Sequence, residues 1–470
     1  MRPCILSNMW YVPVERIANI ELVKRNMQVT PIWFDKRKAR PKPIRQCDYE
    51  RAGYVGFPVW RGMQDYPDKN YIDDTSRGGI LKARKLPDPN HPLAGVGQAE
   101  FMVDMLAHFD EHPVGLAIAG TGSGKTVSAL WLAGKRGRST LAVTDREFLG
   151  FEQWIPQAMD KLGIPEDEIG IIQGDVCQYD RPFVVAMAKS LLECEYPPEM
   201  YDAFGTMFVD EVHKFGARQM SRIMQCFTAE TKCGLTATPK RGDGCQRLFL
   251  DYYGPCQIEC EGDALPFQLK VVDYIDRTGS GRMPTSHGMR VQRLARDDAR
   301  NKLCVNEIIT MYNEGRTIVV IGDDIKHLQR LEEMCWKLGI PKDETGQFSR
   351  ERYIFKTHVD THRGQKMEIK RQKKVRITNE YLNWCKEHAR VIFSTYGMMK
   401  EGIDIPRLSG GLDVTPRREA IQVVGRIRRN VPGKIKPRWV TIRDRSHEAL
   451  MRIYGERLRD YMEEKAEILQ

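Results

Sequence analysis

The sequence predicts an α/β chain: two tandem parallel-sheet units behind a small strand-rich N-terminal module. Three observations predict it. Short apolar runs alternate with segments of helical periodicity, which is how buried parallel strands wrapped by helices read. These runs form two series, the second beginning near Val291. Ahead of the first, the chain reads as short strands punctuated by Pro13, Pro31, Pro41, Pro43 and Pro58. The 470 residues are enough for two or three substantial cores. Expected boundaries are 1–88 for the module, 89–264 for the first unit and 265–470 for the second.

In the module, Ile32-Trp33-Phe34 runs into Lys36-Arg37-Lys38-Ala39-Arg40, an aromatic and basic mix suited to a phosphate backbone. A core tryptophan beside a solvated loop would read the same. The passage Leu86-Pro87-Asp88-Pro89-Asn90-His91-Pro92 reads as the linker out. Strands of the first unit are expected at Val114–Ile118, Leu141–Val143, Ile169–Ile172, Val184–Met187 and Met207–Val209. The second unit should contribute Thr317–Ile321, Val391–Phe393, Leu412–Val414 and Trp439–Ile442. At the C-terminus Leu450, Ile453, Tyr454, Leu458 and Tyr461 fall at helical spacing and predict a helix packed on the second unit.

Formal net charge is +10, and its distribution is uneven. Residues 1–90 carry 17 Lys+Arg against 10 Asp+Glu, and residues 350–376 carry 10 against 3. Two discrete basic segments suggest two surfaces that neutralise the phosphates of a polyanion, with Lys373 and Lys374 as candidate contacts in the second. The bland alternative for each is a solvated face. No run of eighteen apolar residues and no leader with a cleavage site is visible, so neither a membrane span nor secretion is expected. A cytosol is. The 12 cysteines form no Cys-x-x-Cys pair, and reduced thiols are expected rather than disulfides or zinc. His358 and His362 would share one helix face, near Cys385 and His388, without the usual paired-cysteine knuckle.

The chemistry sits in Ala119-Gly120-Thr121-Gly122-Ser123-Gly124-Lys125-Thr126, a glycine-rich phosphate loop between a strand and a helix bearing Val127, Leu130, Trp131 and Leu132. Backbone N–H groups must close around phosphate oxygens without a Cβ in the way, and the helix dipole points at the same anion. Gly122, Ser123 and Gly124 belong to this cradle, Lys125 reaches the β and γ phosphates, and Thr126 ligates Mg2+. Ala119 stands where glycine is usual. Downstream, Val209-Asp210-Glu211-Val212-His213 follows an apolar strand. Asp210 would hold the metal with Thr126, and Glu211 would orient or deprotonate an attacking water.

Three further segments follow: Gly234-Leu235-Thr236-Ala237-Thr238-Pro239-Lys240-Arg241-Gly242-Asp243-Gly244, Glu401-Gly402-Ile403-Asp404-Ile405-Pro406, and Gln422-Val423-Val424-Gly425-Arg426-Ile427-Arg428-Arg429. With them the chain resembles superfamily 2 DExH-box helicases over roughly residues 92–460, and the motifs occur in that family's order. The resemblance implies two RecA-like units, ATP and Mg2+ as cofactors, and arginine fingers at Arg426 and Arg429 supplied by the second unit, with Gln422 beside them. It implies an adenine contact at Gln98, nucleotide sensing at Gly402 and Asp404, and phosphate contacts at Thr395 and Arg146. His213, Thr236 and Thr238 would relay hydrolysis to movement. The run Thr144-Asp145-Arg146 departs from the family's usual Pro-Thr-Arg.

Thr236-Ala237-Thr238-Pro239 followed by Arg241 and Asp243-Gly244 looks like the phage UvsW and XPB-type branch. That resemblance implies a monomer acting on branched or duplex DNA beside replication or recombination proteins. An RNA helicase, the motor of a restriction system and a nucleotide-gated clamp are the alternatives.

Overall fold

The computed structural model describes residues 2–32, 39–47, 51–91, 97–120, 123–145, 147–241, 243–255, 258–260, 264–276, 283–284, 286–362, 365–400, 405–417, 421–431 and 433–469. The chain divides into two compact units, Met1–Asp263 and Ala264–Gln470.

The core of the first unit is an eight-stranded sheet in the order Val176–Cys177, Ile169–Gln173, Phe183–Met187, Thr140–Thr144, Thr206–Val209, Thr231–Thr236, Val114–Ala119, Ile258–Cys260. The first two strands pair antiparallel and all other neighbours are parallel. Central strands buried on both faces explain their near-continuous apolar runs. Helices Gln98–Glu111, Lys125–Arg136 and Glu147–Leu162 cover one face, where Leu130, Leu132, Trp154 and Phe208 share a cluster.

The opposite face is covered partly by the N-terminal residues. These form a four-stranded sheet, Tyr54–Phe57, Trp10–Pro13, Ile5–Leu6, Ile72–Asp73, a two-stranded pair, Gln28–Val29 with Ile44–Arg45, and the helices Ile20–Asn26 and Val59–Asp65. Their apolar side chains are continuous with the motif-bearing sheet: Trp10, Val55 and Phe57 lie in one cluster with Leu116, Met207 and Tyr252. Each such large side chain removed from water contributes about 1.5–3 kcal/mol. Polar ties cross the same seam, Lys232 Nζ to Ser7 O at 2.7 Å and Tyr252 OH to Asn8 O at 2.7 Å.

The second unit is a seven-stranded, wholly parallel sheet in the order Thr345–Phe348, Val391–Thr395, Thr317–Gly322, Leu408–Asp413, Arg438–Asp444, Gln268–Tyr274, Glu467–Leu469. Its first strand, Gln268–Tyr274, lies ahead of the expected start near Val291, which instead belongs to the helix His287–Arg296. The C-terminal helix spans Glu448–Glu463 and buries Leu450, Ile453, Tyr454 and Tyr461, and a short edge strand follows it. A charged network lies under this helix. Asp413, 1 % exposed, pairs with the buried Arg457, and burial raises its carboxyl to about 6. Buried Arg300 binds Asp444 at 2.8 Å and Val414 O at 2.8 Å, so each of these buried charges has a counter-charge.

The basic segment is a β-ribbon. Glu351–His362 pairs antiparallel with Gln365–Arg376 across twelve residues a side, a length of about 40 Å. His358 and His362 therefore sit on a strand, not on a helix face. An isolated two-stranded ribbon is marginal, and this one is fixed at its root. Gln329 imitates a backbone partner for Tyr353, donating to its carbonyl at 2.9 Å and accepting from its amide at 3.0 Å.

Candidate functional site

The strand Val114–Ala119 is buried along its whole length and delivers the chain to the phosphate loop. Gly124 closes the loop at φ +82°, and a Cβ there would lie 2.2 Å from Gln98 Nε2. The backbone conformation demands glycine at that position, and a side chain there would also displace the Gln98 amide. Helix Lys125–Arg136 starts immediately, so its unpaired N–H groups and positive dipole end face the loop. Lys125 Nζ donates to Ala119 O at 2.8 Å and Gly120 O at 3.1 Å, and Ser123 Oγ donates to Gly120 O at 2.7 Å. The ammonium is thus folded over the loop, within reach of an anion seated there. Gln98 opens its helix behind Gly97, at φ +78°, and its Nε2 lies 3.5 Å from Gly124 O. Gly122 lies outside the described residues.

The acidic motif follows Thr206–Val209, two strands away from the loop strand. Asp210 N continues the ladder to Val143 O at 2.9 Å, and its Oδ2 lies 3.4 Å from Trp154 Nε1. Trp154 is fully buried and stacks on Phe208 with ring centroids 6.1 Å apart. Thr126 Oγ1 accepts from Gln153 Nε2 at 2.8 Å. Helix Glu147–Leu162 therefore steadies both expected magnesium ligands from consecutive positions. One hydroxyl and one carboxylate suit Mg2+, which keeps waters and takes its other oxygens from phosphates. No cluster of three or more His, Cys, Asp or Glu fit to hold a metal occurs among the described residues.

Glu211 stands in the left-handed region at φ 49°, ψ 49°, a conformation costing a non-glycine residue about 1–2 kcal/mol. His213 Nδ1 lies 3.3 Å from Glu211 Oε2 and 2.9 Å from Thr236 Oγ1. Thr236 Oγ1 donates its proton to Thr238 O at 2.9 Å and accepts from Thr238 N at 3.1 Å. A hydroxyl whose proton is engaged must accept from the ring, so Nδ1 carries the hydrogen. Burial pushes the imidazole below its ordinary value, opposed by the Glu211 charge, which keeps it neutral around pH 7. His213, Thr236 and Thr238 form one hydrogen-bonded chain to the next strand's end, and the Glu211 carboxylate lies against the ring at its head. Beside it Lys214 Nζ grips both oxygens of Asp145 at 2.9 and 2.8 Å.

In the second unit Thr395 ends the strand Val391–Thr395, half-buried, with Oγ1 3.4 Å from Met398 N. Helix Ile421–Ile427 carries Arg426, with Arg429 just beyond it, both half-buried. Arg428 between them braces the fold, pairing with Glu464, donating to Leu265 O at 2.9 Å and lying over the Phe267 ring. Lys373 and Lys374 are exposed at the ribbon root, Lys374 paired with Glu351. Lys36, Arg37, Lys38, Arg146, Gly402 and Asp404 lie outside the described residues, as does the Gln422 side chain.

Sequence reading did not anticipate the roles of Gln153, Trp154 and Arg241. Their sequence positions were visible, but their partners are 27, 56 and 28 residues away.

Residues 96–241 match the family described as "Type III restriction enzyme, res subunit". Over 450 residues the chain is 24% identical to a protein of Acanthamoeba polyphaga mimivirus provisionally named an ATP-dependent RNA helicase, covering 90% of this chain and 78% of that one. It is 25% identical to the DNA 3'-5' helicase XPB of Kineococcus radiotolerans, over 62% of this chain and 57% of that one. The chain is similar to superfamily 2 helicases, XPB among them. A provisionally named helicase of Escherichia phage T5 matches at 26% over 67% of this chain and 64% of its own length. The chain thus spans less than two thirds of the phage and XPB relatives. For the fold, a fragment assigned to the HsdR subunit of a type I restriction enzyme from Vibrio vulnificus YJ016 superposes with a TM-score of 0.50 at 18% identity, covering 76% of this chain and 64% of that one. Both units are RecA-like. Among the described residues no helix is long and apolar enough to cross a membrane.

Proposed function

We propose that this protein uses ATP with Mg2+ to move along DNA without sequence preference, acting on branched or duplex substrates in replication or recombination. The observation carrying the reading is the chain His213–Thr236–Thr238 with Glu211 against its head, which sets the hydrolytic acid beside the loop leaving the neighbouring strand. Lys125 and the amides of Ser123 and Gly124 hold the phosphates. Thr126 and Asp210 would hold the magnesium ion, which supplies charge neutralisation at the transferring phosphoryl group. Glu211 orients the attacking water and takes its proton at a carboxylate oxygen. Its strained backbone fixes where that oxygen points. Arg426 and Arg429 act as the fingers that meet the developing charge.

The ribbon supports the nucleic-acid half of the proposal. Its register sets Lys356 opposite Arg371 and places Lys373 and Lys374 on one strand. The arm bearing Lys36, Arg37 and Lys38 would be the second contact, with Arg146 and Thr395 on the tracked strand.

Lys125→Ala tests the site: ATP turnover should vanish while DNA affinity stays within about twofold. Full ATPase activity in that variant sinks the assignment. An RNA substrate is the second reading, favoured by the name of the mimivirus relative. Stimulation of ATPase by RNA, single-stranded DNA and a forked duplex separates the two, with the fork expected to stimulate most.

A further inference from the structure

Two consecutive residues of the helix Glu147–Leu162 reach the two side chains expected to hold a cation. Gln153 Nε2 donates to Thr126 Oγ1 at 2.8 Å, and Trp154 Nε1 donates to Asp210 Oδ2 at 3.4 Å. Neighbours on a helix point about 100° apart, so one residue faces the helix Lys125–Arg136 and the next faces the sheet. Packing holds the helix against both, since Trp154 shares one apolar cluster with Leu130 and Leu132 of that helix and with Phe183 and Phe208 of the sheet.

Neither donor is free to swing away. Trp154 is fully buried, with its ring centroid 6.1 Å from that of Phe208 and 6.4 Å from that of Phe183, at interplanar angles of 29° and 30°. Packed on those rings, the indole cannot turn without opening the core, and its N–H, removed from water, has the Asp210 carboxylate as its acceptor. The core therefore fixes one oxygen of Asp210. Thr126 is buried at the second position of its helix, and Gln153 is half-buried beside it. A hydroxyl oxygen has two lone pairs, and the Gln153 amide occupies one of them, so Thr126 offers a cation a single lone pair in a set direction.

We propose that Gln153 and Trp154 are positioning residues that make this site select magnesium over calcium. The inference rests on the ATP and Mg2+ reading above. An indole holding Oδ2 keeps the Asp210 carboxylate from closing on a cation with both oxygens. Magnesium demands a near-ideal octahedron at about 2.0–2.1 Å and keeps several of its waters, which single donors in fixed directions satisfy. Calcium gathers about six to eight oxygens at about 2.3–2.6 Å and often takes both oxygens of one carboxylate. A site that offers one oxygen from Asp210 and one lone pair from Thr126 therefore completes the smaller shell and leaves the larger one short. Outer partners of this kind act by orienting the ligands, not by adding charge.

The test uses the full chain and reads binding, not turnover: the dissociation constant of a fluorescent ATP analogue at saturating Mg2+, at saturating Ca2+ and with EDTA. Variants are Trp154→Phe, which keeps an aromatic ring without the N–H, Trp154 replaced by 3-benzothienylalanine, which keeps the two-ring shape and sets sulfur where the N–H was, and Gln153→Met, each with a thermal melt. The last two keep the test open if Trp154→Phe does not fold. Each variant is expected to weaken the magnesium complex about tenfold, the usual cost of losing an outer partner of a metal ligand. The calcium complex should change by no more than about twofold, so the ratio of the two constants narrows about fivefold while the EDTA value stays at wild type. An unchanged ratio overturns the inference, whether both complexes weaken together, which reports loosened packing alone, or neither does. A wild-type chain that needs metal but binds both complexes equally overturns the inference alone. One whose analogue binding is the same with Mg2+, Ca2+ and EDTA overturns both the inference and the ATP and Mg2+ reading.

Discussion

Lys232 is an ammonium that water cannot reach. It is the second residue of the strand Thr231–Thr236, is wholly buried, and donates to Ser7 O at 2.7 Å. Burial lowers its pKa to about 7, with only a weak opposing effect from Asp73. In the unfolded chain the same group titrates near 10.4. Between about pH 7 and pH 10 the unfolded chain thus binds a proton that the folded chain has shed, and this residue makes stability rise with pH across that window. Lys232→Met should remove the contribution, so the urea midpoint of the wild type minus that of the variant should climb from pH 7 to pH 10. A flat difference would show that the lysine is solvated in the folded protein. The variant also strips Ser7 O of a partner, at about 1–3 kcal/mol, which shifts the difference but not its slope. A lysine that docks the N-terminal sheet lies on the strand ending in Thr236, so docking and the coupling chain share one element.

At the scale of elements, the ribbon Glu351–His362 with Gln365–Arg376 has its anchoring bonds from Tyr353 to Gln329 and its cations spread along its length. Replacing residues 355–372 by a short turn leaves that root in place. Such a variant should keep its thermal midpoint and its unstimulated ATPase, while the slope of log affinity for duplex DNA against log salt drops by roughly 0.9 for each phosphate no longer neutralised. An unchanged slope would mean that the ribbon touches no phosphate. The ribbon also marks where sequence reading stops. Residues four apart, such as His358 and His362, share a face in helix and strand alike, so spacing could not choose; the β-branched and aromatic run Tyr353-Ile354-Phe355, with Thr357, Val359 and Thr361, held the signal. Gln268–Tyr274 was missed because its alternating half-buried pattern lacks an apolar run. The phosphate loop and acidic strand were legible because strand, loop and helix are contiguous. Gln153 on Thr126 and Arg241 on His213 were not, because those contacts exist only once the sheet has brought distant segments together.

At the scale of the whole molecule, the reading requires groups from both units for one reaction. The first supplies Lys125, Thr126, Asp210 and Glu211, whose surroundings are all local to it. On the proposed reading the second would supply Arg426 and Arg429. Arg428 is committed to Glu464 and Leu265 O, a bracing role within its own unit. These roles are separable by kinetics. If Arg426 acts only in the transition state, as proposed, Arg426→Ala should lower kcat by about 10³-fold or more while ATP binding, read by a fluorescent analogue, stays near wild type. Arg428→Ala should instead lower the thermal midpoint, because it leaves Glu464 unpaired and the half-buried Leu265 carbonyl without its donor. If the Arg426 variant binds ATP weakly but turns over normally at saturation, the arginine is a ground-state contact. Hydrolysis would then belong to the first unit alone, and opening and closing of two units would not be what drives the motor.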